Sequence, residues 1–173
     1  TRHQRPGVFV GGRNVILLVR VDERLIHGQV TVAWRGALDL DAFAVVDDEL
    51  AGSDWEKDLV LAAAPEGTVA EVVTVADAVR LWNDWNADTR RRMVLVQSFA
   101  SARSICASGV DLGSLNVGGL HKREGRKEFL PYVWLDSAEM ETCRYLCRSG
   151  VTLEARNVPA TSGVNLCARI GDS

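Results

Sequence analysis

Apolar runs alternate with segments of helical periodicity along most of the chain. The runs are short and rich in Val, Leu and Ala, which is typical of buried strands. The predicted strands are residues 15–21, 42–47, 69–75, 93–98, 115–117, 129–134 and 151–158. Between them, apolar residues recur at helical spacing, and the predicted helices are residues 28–36, 53–64, 77–87, 101–108 and 137–150.

Strands separated by single helices are the pattern of successive βαβ units. Such units build a mostly parallel sheet with helices on both faces, so the sequence predicts one α/β domain of about seven strands. Local signals refine two of the helices. Ser53 and Glu56 have capping-box spacing before the second helix, and Ser137 is the expected cap of the last.

Composition limits the class of protein. The chain has 173 residues and a net charge of −3, which is ordinary for a soluble globular domain and argues against a general nucleic-acid or membrane-surface binder. It holds no apolar run of the roughly 18 residues that a membrane span requires. The four cysteines include no CxxC pair, so we expect reduced, packed thiols and a cytoplasmic protein, with a metal site the less favoured reading.

The strongest chemical signal is His27, which lies shortly after the first predicted strand, where a helix is about to begin. Imidazole is a nucleophile that is largely neutral at cytoplasmic pH. Arg24 could fork onto phosphate oxygens, and N–H groups at a helix start stabilise an added anion. Gly28 leaves the approach to the ring open. These residues predict a site that accepts a phosphoryl group.

Other residues at strand ends have two interpretations each. Asp22 could accept the imidazole N–H and fix the tautomer, or could pair with Arg20 or Arg24 without chemical function. Gly118 and Gly119 permit a close approach of the backbone, or form a simple turn. The chain contains neither a dinucleotide-binding nor a P-loop glycine motif, so neither site is supported.

Two charged clusters complete the candidates. The basic residues in 122–127 form either an exposed loop or a source of positive charge for the phosphate or a partner, and His121 beside them is a weaker candidate than His27. Asp47, Asp48 and Glu49 resemble a carboxylate cluster for a metal, but nothing else supports one. The tryptophans on predicted helices, Trp55 among them, are expected to pack in the core.

Several of these motifs together resemble one family. The sequence RVDERLIHGQV at residues 20–30, with Trp34 after it, is similar to the phosphorylation-site region of the B component of bacterial sugar phosphotransferase systems, in the mannose/fructose/sorbose branch. The similarity continues through residues 45–49, 64–67, 116–120 and 123–125. It spans about residues 14–159, with 1–13 expected to be a poorly ordered extension and 160–173 a tail.

The resemblance implies a three-layer α/β/α fold and a phosphohistidine carrier. His27 would accept a phosphoryl group at Nδ1 from the phosphorylated A component and pass it to a sugar held by the membrane C and D components. Arg24 and Asp22 would assist, Asp22 acting on the other ring nitrogen or on Arg24. The phosphate-binding residues would be Gly28, Gln29, Ser98, Gly118 and Gly119.

The same resemblance implies no metal, no cofactor and no nucleic-acid partner. It also implies a cytoplasmic protein associated peripherally with the transporter, and a homodimer is compatible with it. The alternatives are a regulatory α/β module, in which phosphorylation of His27 serves signalling, and a small-ligand-binding module without phosphotransfer.

Overall fold

Nine β-strands and seven α-helices form in residues 15–171, the part of the chain that the computed structural model describes, apart from the side chains of Gln29 and Val30. The strands are Ile16–Val21 (β1), Ala42–Val46 (β2), Val69–Val73 (β3), Arg92–Val96 (β4), Ser114–Val117 (β5), Lys127–Leu130 (β6), Val133–Leu135 (β7), Thr152–Ala155 (β8) and Val164–Asn165 (β9). The helices are Gly28–Leu38 (α1), Asp48–Ala51 (α2), Asp54–Ala62 (α3), Val75–Ala87 (α4), Phe99–Ala107 (α5), Ser137–Arg148 (α6) and Leu166–Gly171 (α7). The predicted extension at residues 1–13 lies outside the described residues.

Seven of the strands form one sheet in the order β3-β2-β4-β1-β5-β8-β9. Every pairing in it is parallel except that of β8 with β9. Strands β6 and β7 form a separate antiparallel hairpin. The predicted mainly parallel sheet of about seven strands is therefore confirmed.

Alternate residues of the central strands face two separate cores, which gives the three-layer α/β/α arrangement. On one face, Phe43 and Val45 of β2 pack in a cluster with Trp34 of α1, and α2 and α3 contribute partly buried residues. On the other face, Ala44 and Val46 pack in the larger cluster that α4, α5, α6 and α7 cover. Because β2 and β4 are covered on both faces, every residue of these two strands is buried.

Local structure departs from expectation where a stronger signal competes. The strand predicted over 129–134 is interrupted at Pro131, which cannot donate a ladder hydrogen bond, and becomes the β6–β7 hairpin. Asp136, not Ser137, caps α6, and it forms a capping box with Glu139. Ser53 precedes α3 as predicted, but its side chain makes no capping hydrogen bond.

The C-terminal segment belongs to the folded domain. Residues expected to be a tail form β9, which extends the sheet, and α7, whose Leu166 and Ile170 are buried in the larger core. A disulfide joins Cys147 of α6 to Cys167 of α7. The expectation of four reduced thiols is therefore wrong for this pair, whereas Cys106 and Cys143 are free. The pairing requires α7 to fold back on α6, which cysteine spacing does not reveal.

The tryptophans divide between core and surface. Trp82 and Trp85 are buried in the larger core as expected, but Trp55 in the first turn of α3 is 70% exposed.

Within residues 15–171, no helix is long and apolar enough to cross a membrane.

We expect the disulfide to contribute measurably to stability. The crosslinked residues are 20 apart in sequence, and closing a loop of this length lowers the entropy of the unfolded chain by an amount worth about 3 kcal/mol. Denaturation with and without dithiothreitol should differ by this order, and Cys147→Ser should abolish the difference. Cys106→Ser, the control at a free cysteine, should retain it. The unfolded protein without reductant should show two titratable thiols, those of Cys106 and Cys143. Four titratable thiols would contradict the pairing.

Candidate functional site

The predicted site lies at the carboxyl ends of the central strands, between two neighbouring strands whose following helices pack on opposite faces of the sheet. Strands β1 and β4 are adjacent and parallel, with Val21 opposite Val96. The helix after β1 packs on one face of the sheet and the helix after β4 on the other. A crevice opens where successive helices diverge in this way, and it is the usual ligand-binding position in α/β sheets. The loop 22–27 borders this crevice.

His27 is the N-cap residue of α1. Its backbone N–H donates to the Thr31 hydroxyl at 2.9 Å, and that hydroxyl donates back to the His27 carbonyl at 3.0 Å. Thr31 is 2% exposed, so this reciprocal pair fixes the backbone of His27 from inside the protein. Sequence reasoning missed Thr31; the available signal was a hydroxyl one helical turn after the histidine.

The imidazole is held in one tautomer. Its Nδ1–H donates to the Leu25 carbonyl at 2.8 Å, so the unprotonated nitrogen is Nε2, which is buried without a protein partner. Leu25 has a φ of 53°, a left-handed conformation that leucine seldom adopts. Its side chain and that of Ile26 are both 4% exposed. The loop is therefore anchored by two core residues directly before His27.

Asp22 pairs with two arginine side chains and two backbone N–H groups, not with His27. Its Oδ2 accepts from Arg20 Nη2 at 2.9 Å and from the Gly119 N–H at 3.2 Å. Its Oδ1 accepts from the Arg24 backbone N–H at 3.1 Å and from Arg24 Nε at 3.4 Å. Of its two predicted roles, the pairing with arginine is observed, and these contacts occupy both oxygens. Burial opposes ionisation, but Arg20 and the two N–H donors outweigh it and hold the pKa of Asp22 below its usual value.

Arg20 is a buried cation that sequence reasoning did not select. It is 0% exposed, and its guanidinium donates to Asp22, the Asn116 side chain and the carbonyls of Arg156 and Asn157. The guanidinium carbon also lies 5.6 Å from the centre of the Trp34 ring. The only sequence signal was a charged residue inside an apolar strand.

Gly118 and Gly119 allow the β5 end to pack against these charges. A Cβ on Gly118 would overlap the Arg20 guanidinium and the Asp22 carboxylate, and a Cβ on Gly119 would lie 3.0 Å from Arg24 Nη2. Their N–H groups already donate to the Val21 carbonyl and to Asp22. The close backbone approach is thus observed, and both N–H groups are engaged within the protein.

Glu23 forms hydrogen bonds and ion pairs with the basic loop that follows β5. Its carboxylate accepts from the backbone and ring of His121, from Arg126 at 2.7 Å and from Arg123 at 3.0 Å. Arg126 also pairs with Glu139 of α6. Burial opposes ionisation of Glu23, yet the hydrogen bonds from His121 and Arg126 keep its pKa below the usual value. Arg123 and Arg126 are therefore engaged in internal ion pairs.

The remaining predicted residues lie around the same edge. Gly28 has a φ of 31° and open space where a Cβ would be, so the approach to the start of α1 is unobstructed on that side. Gln29 is in the first turn of α1, but its side chain is not among the described parts. Ser98 follows β4 and accepts from the Ser101 N–H, so its hydroxyl caps α5.

The carboxylates after β2 serve local structure. Asp47 caps α2 by accepting from the Leu50 N–H, and Asp48 accepts from the Val75 N–H at the start of α4. Within residues 15–171, no group of three or more His, Cys, Asp or Glu side chains could hold a metal ion.

Comparisons with known proteins agree on one family. Residues 16–172 match the model of the "PTS system sorbose subfamily IIB component". The chain is 35% identical over 144 residues to the mannose-specific EIIAB component of Escherichia coli K12, covering 83% of this chain and 45% of that protein, so it spans less than half the length of the first such relatives. It is 30% identical over 158 residues to the sorbose-specific EIIB component of Lacticaseibacillus casei, covering 91% and 96%.

A solved structure shows the same fold. The IIBSor domain of the sorbose permease from Klebsiella pneumoniae superposes with a TM-score of 0.83 at 29% identity, covering 91% of this chain and 97% of that one. The family model includes nearly all of the segment expected to be a tail, in agreement with the packing of α7.

Replacing Gly118 tests the packing beneath the site. Gly118→Ala places a methyl group against Arg20 and Asp22, and we expect a loss of about 1–3 kcal/mol in the free energy of unfolding, as for other overpacked cores. The control is Gly36→Ala at an exposed position of α1, which should stabilise by about 0.5–1 kcal/mol. Equal stability of the Gly118 variant and the wild type would contradict the close contact.

The lowered pKa of Glu23 predicts a pH dependence of stability. A carboxyl group whose pKa is lower in the folded state stabilises the fold above its unfolded pKa, and this contribution is lost as pH falls through the folded pKa. We expect Glu23→Gln to cost about 1–3 kcal/mol at pH 7 and progressively less below about pH 4. Urea denaturation of both proteins across this range measures the difference.

Glu141→Gln is the matched control, since Glu141 also pairs with an arginine but is exposed. It should change stability little at any pH. A Glu23→Gln cost that stays constant down to pH 3 would rule out a role for the ionised carboxylate.

Proposed function

Because the chain belongs to the sorbose subfamily of phosphotransferase-system IIB components, we propose that it is a phosphohistidine carrier in sugar uptake. In this proposal His27 accepts a phosphoryl group from the phosphorylated A component. It then passes the group to a sugar entering through the membrane C and D components, so the chain acts as a phosphotransferase on the cytoplasmic side of the membrane.

The observation that carries the proposal is the position of His27 at the start of α1, beside Arg24 and an open Gly28. The first N–H groups of a helix lack helical acceptors and face an anion placed at its N-terminus. The Arg24 side chain is 42% exposed, so its guanidinium is accessible to a phosphoryl group carried by another protein. A shallow site of this kind suits a group that must be received and released.

The chemical step requires a change in the state of the ring. Attack at Nδ1 forms an N–P bond as the donor's N–P bond breaks, and the electron pair of that bond returns to the donor imidazole. Since Nδ1 carries the proton and faces the Leu25 carbonyl in the structure, its hydrogen bond must first break and the proton must be held at Nε2 instead. In onward transfer a sugar hydroxyl attacks phosphorus, the N–P bond breaks with its electron pair returning to His27, and the hydroxyl proton is released to water.

Each of the other predicted residues has a place in this scheme. Arg24 would neutralise charge on the phosphoryl group during transfer, where positioning and electrostatics supply most of the catalysis. Asp22 would orient Arg24 through Nε. Gly28 and Gln29 would offer helix-start N–H groups, Gly118 and Gly119 would set the backbone beside Arg24, and Ser98 would face the crevice from the β4 end.

Both protein partners must reach His27, so the surface around it has to be accessible. On the same face of the sheet, α1 and α3 expose Val32, Trp55 and Leu59, which are 56%, 70% and 64% exposed. We propose that these apolar residues take part in contacts with the A component. A homodimer of this chain would have to leave the edge around His27 free.

Transfer of labelled phosphate tests the proposal directly. Incubation with phosphoenolpyruvate, the general phosphotransferase proteins and a matching A component should label the wild type with acid-labile, base-stable phosphate. We expect His27→Ala to abolish labelling, and Arg24→Lys to slow it by about 10- to 100-fold because a point charge replaces the planar fork.

His121→Ala provides the control, because His121 is a partly exposed histidine whose ring contacts Glu23. It should label at the wild-type rate. An unlabelled wild type, or a His27→Ala variant that labels normally, would refute the proposed function.

A further inference from the structure

Arg20 lies between the two parts of the site that a phosphoryl transfer must bring together. Through Asp22 it is connected to Arg24, since one carboxylate oxygen accepts from Arg20 Nη2 and the other from Arg24 Nε. Through its guanidinium plane it contacts the ring of Trp34, which anchors the helix that begins at His27. One buried cation thus contacts the supports of both the exposed cation and the nucleophile.

The hydrogen bonds that replace the hydration of buried Arg20 also fix the position of its guanidinium. A buried charge is tolerated only when hydrogen bonds and an opposite charge replace its hydration. Here both terminal nitrogens have two acceptors each, contributed by Asp22 in the loop after β1, by Asn116 of β5 and by the loop after β8. Moving the guanidinium would break several of these bonds together, so the side chain has little freedom.

Asp22 transmits this rigidity to Arg24. With Oδ2 fixed by Arg20 and the Gly119 N–H, the direction of Oδ1 is also fixed. Oδ1 then holds Arg24 through both its backbone N–H and Nε. Engagement of Nε leaves the two terminal nitrogens of Arg24 for a ligand, in a direction that Asp22 sets. This arrangement is the fork geometry that phosphate oxygens require.

We propose that Arg20 is a positioning residue for phosphoryl transfer, which acts through Asp22 to aim the Arg24 guanidinium and through Trp34 to hold the start of α1. The proposal rests on the proposed function for its catalytic consequence. Its geometric part, the orientation of Arg24, is independent of whether the protein carries phosphate.

The experiment compares Arg20→Lys with Arg92→Lys. Lysine keeps the charge but loses the fork at both positions. Arg92 is a matched control: it is buried, it lies 5.3 Å from the Trp85 ring and it pairs with Asp88 and Glu71 at the opposite end of the sheet. Both variants should lower the unfolding midpoint, so stability alone does not separate them.

Two readouts distinguish positioning from a general structural effect. In the first, the rate of phosphoryl acceptance at saturating A component should fall about 10- to 100-fold in Arg20→Lys and stay at the wild-type value in Arg92→Lys. In the second, the Arg24 Nε–H signal in NMR spectra, assigned by its loss in Arg24→Lys, should exchange with water faster in Arg20→Lys only.

Non-additivity gives a sharper test of the route through Asp22. Asp22→Asn should slow acceptance, and the double variant Arg20→Lys with Asp22→Asn should be no slower than Asp22→Asn alone, because both act on the same guanidinium. If the two effects multiply, or if Arg20→Lys behaves as Arg92→Lys in both readouts, the proposal is overturned.

Two further arms keep the test decisive. Should Arg20→Lys fail to fold, Asn116→Ala removes one acceptor of Arg20 and is expected to shift both readouts in the same direction to a smaller extent. Should the wild type accept no phosphate, the proposed function fails, and the Arg24 Nε–H exchange rate still decides whether Arg20 orients Arg24.

Discussion

The arrangement of the site depends on the protein groups that replace water around one buried guanidinium, that of Arg20. Arg20 belongs to an otherwise apolar strand and has no access to water. Its two terminal nitrogens therefore donate to protein acceptors, which come from the loop after β1, from β5 and from the loop after β8. Three chain segments that are distant in sequence are thereby fixed at the same edge of the sheet, beneath the loop that presents His27.

Most of the arginines in this region are paired with a carboxylate of the protein. Asp22 and Glu23 are adjacent in sequence, but they serve different cations: Asp22 pairs with Arg20 and Arg24, and Glu23 with Arg123 and Arg126. The basic loop is therefore held against loop 22–27 by ion pairs, and the charges of its two arginines are already paired with Glu23. This arrangement suits the proposed carrier role, because a strongly cationic pocket would retain a phosphoryl group that has to be passed on.

Patterns of local sequence predicted the alternating elements, the two-faced sheet and the position of His27, because each is encoded within a few consecutive residues. Trp34, on the first predicted helix, is buried in the core as expected for a tryptophan at such a position. The hairpin could also have been predicted, since Pro131 interrupts an apolar run in a way that a continuous strand does not tolerate.

What could not be predicted depends on contacts between distant segments. The partners of Asp22 are separated from it by as many as 97 positions, and local spacing left its pairing with His27 or with arginine equally open. The disulfide likewise requires that α7 return to α6. In both cases the residue types were visible in the sequence, whereas the geometry that joins them arises only from the sheet order.

The loop before His27 links fold stability to the behaviour of the imidazole. Leu25 adopts a left-handed backbone conformation that costs on the order of 1–3 kcal/mol, and the burial of its own side chain and that of Ile26 offsets this cost. The same conformation aims the Leu25 carbonyl at Nδ1. Because the backbone on both sides is fixed, by these core residues and by Thr31, ring rotation is the least costly way to free that nitrogen. A rigid loop therefore leaves side-chain rotation as the motion that would free Nδ1 of His27 for the proposed transfer.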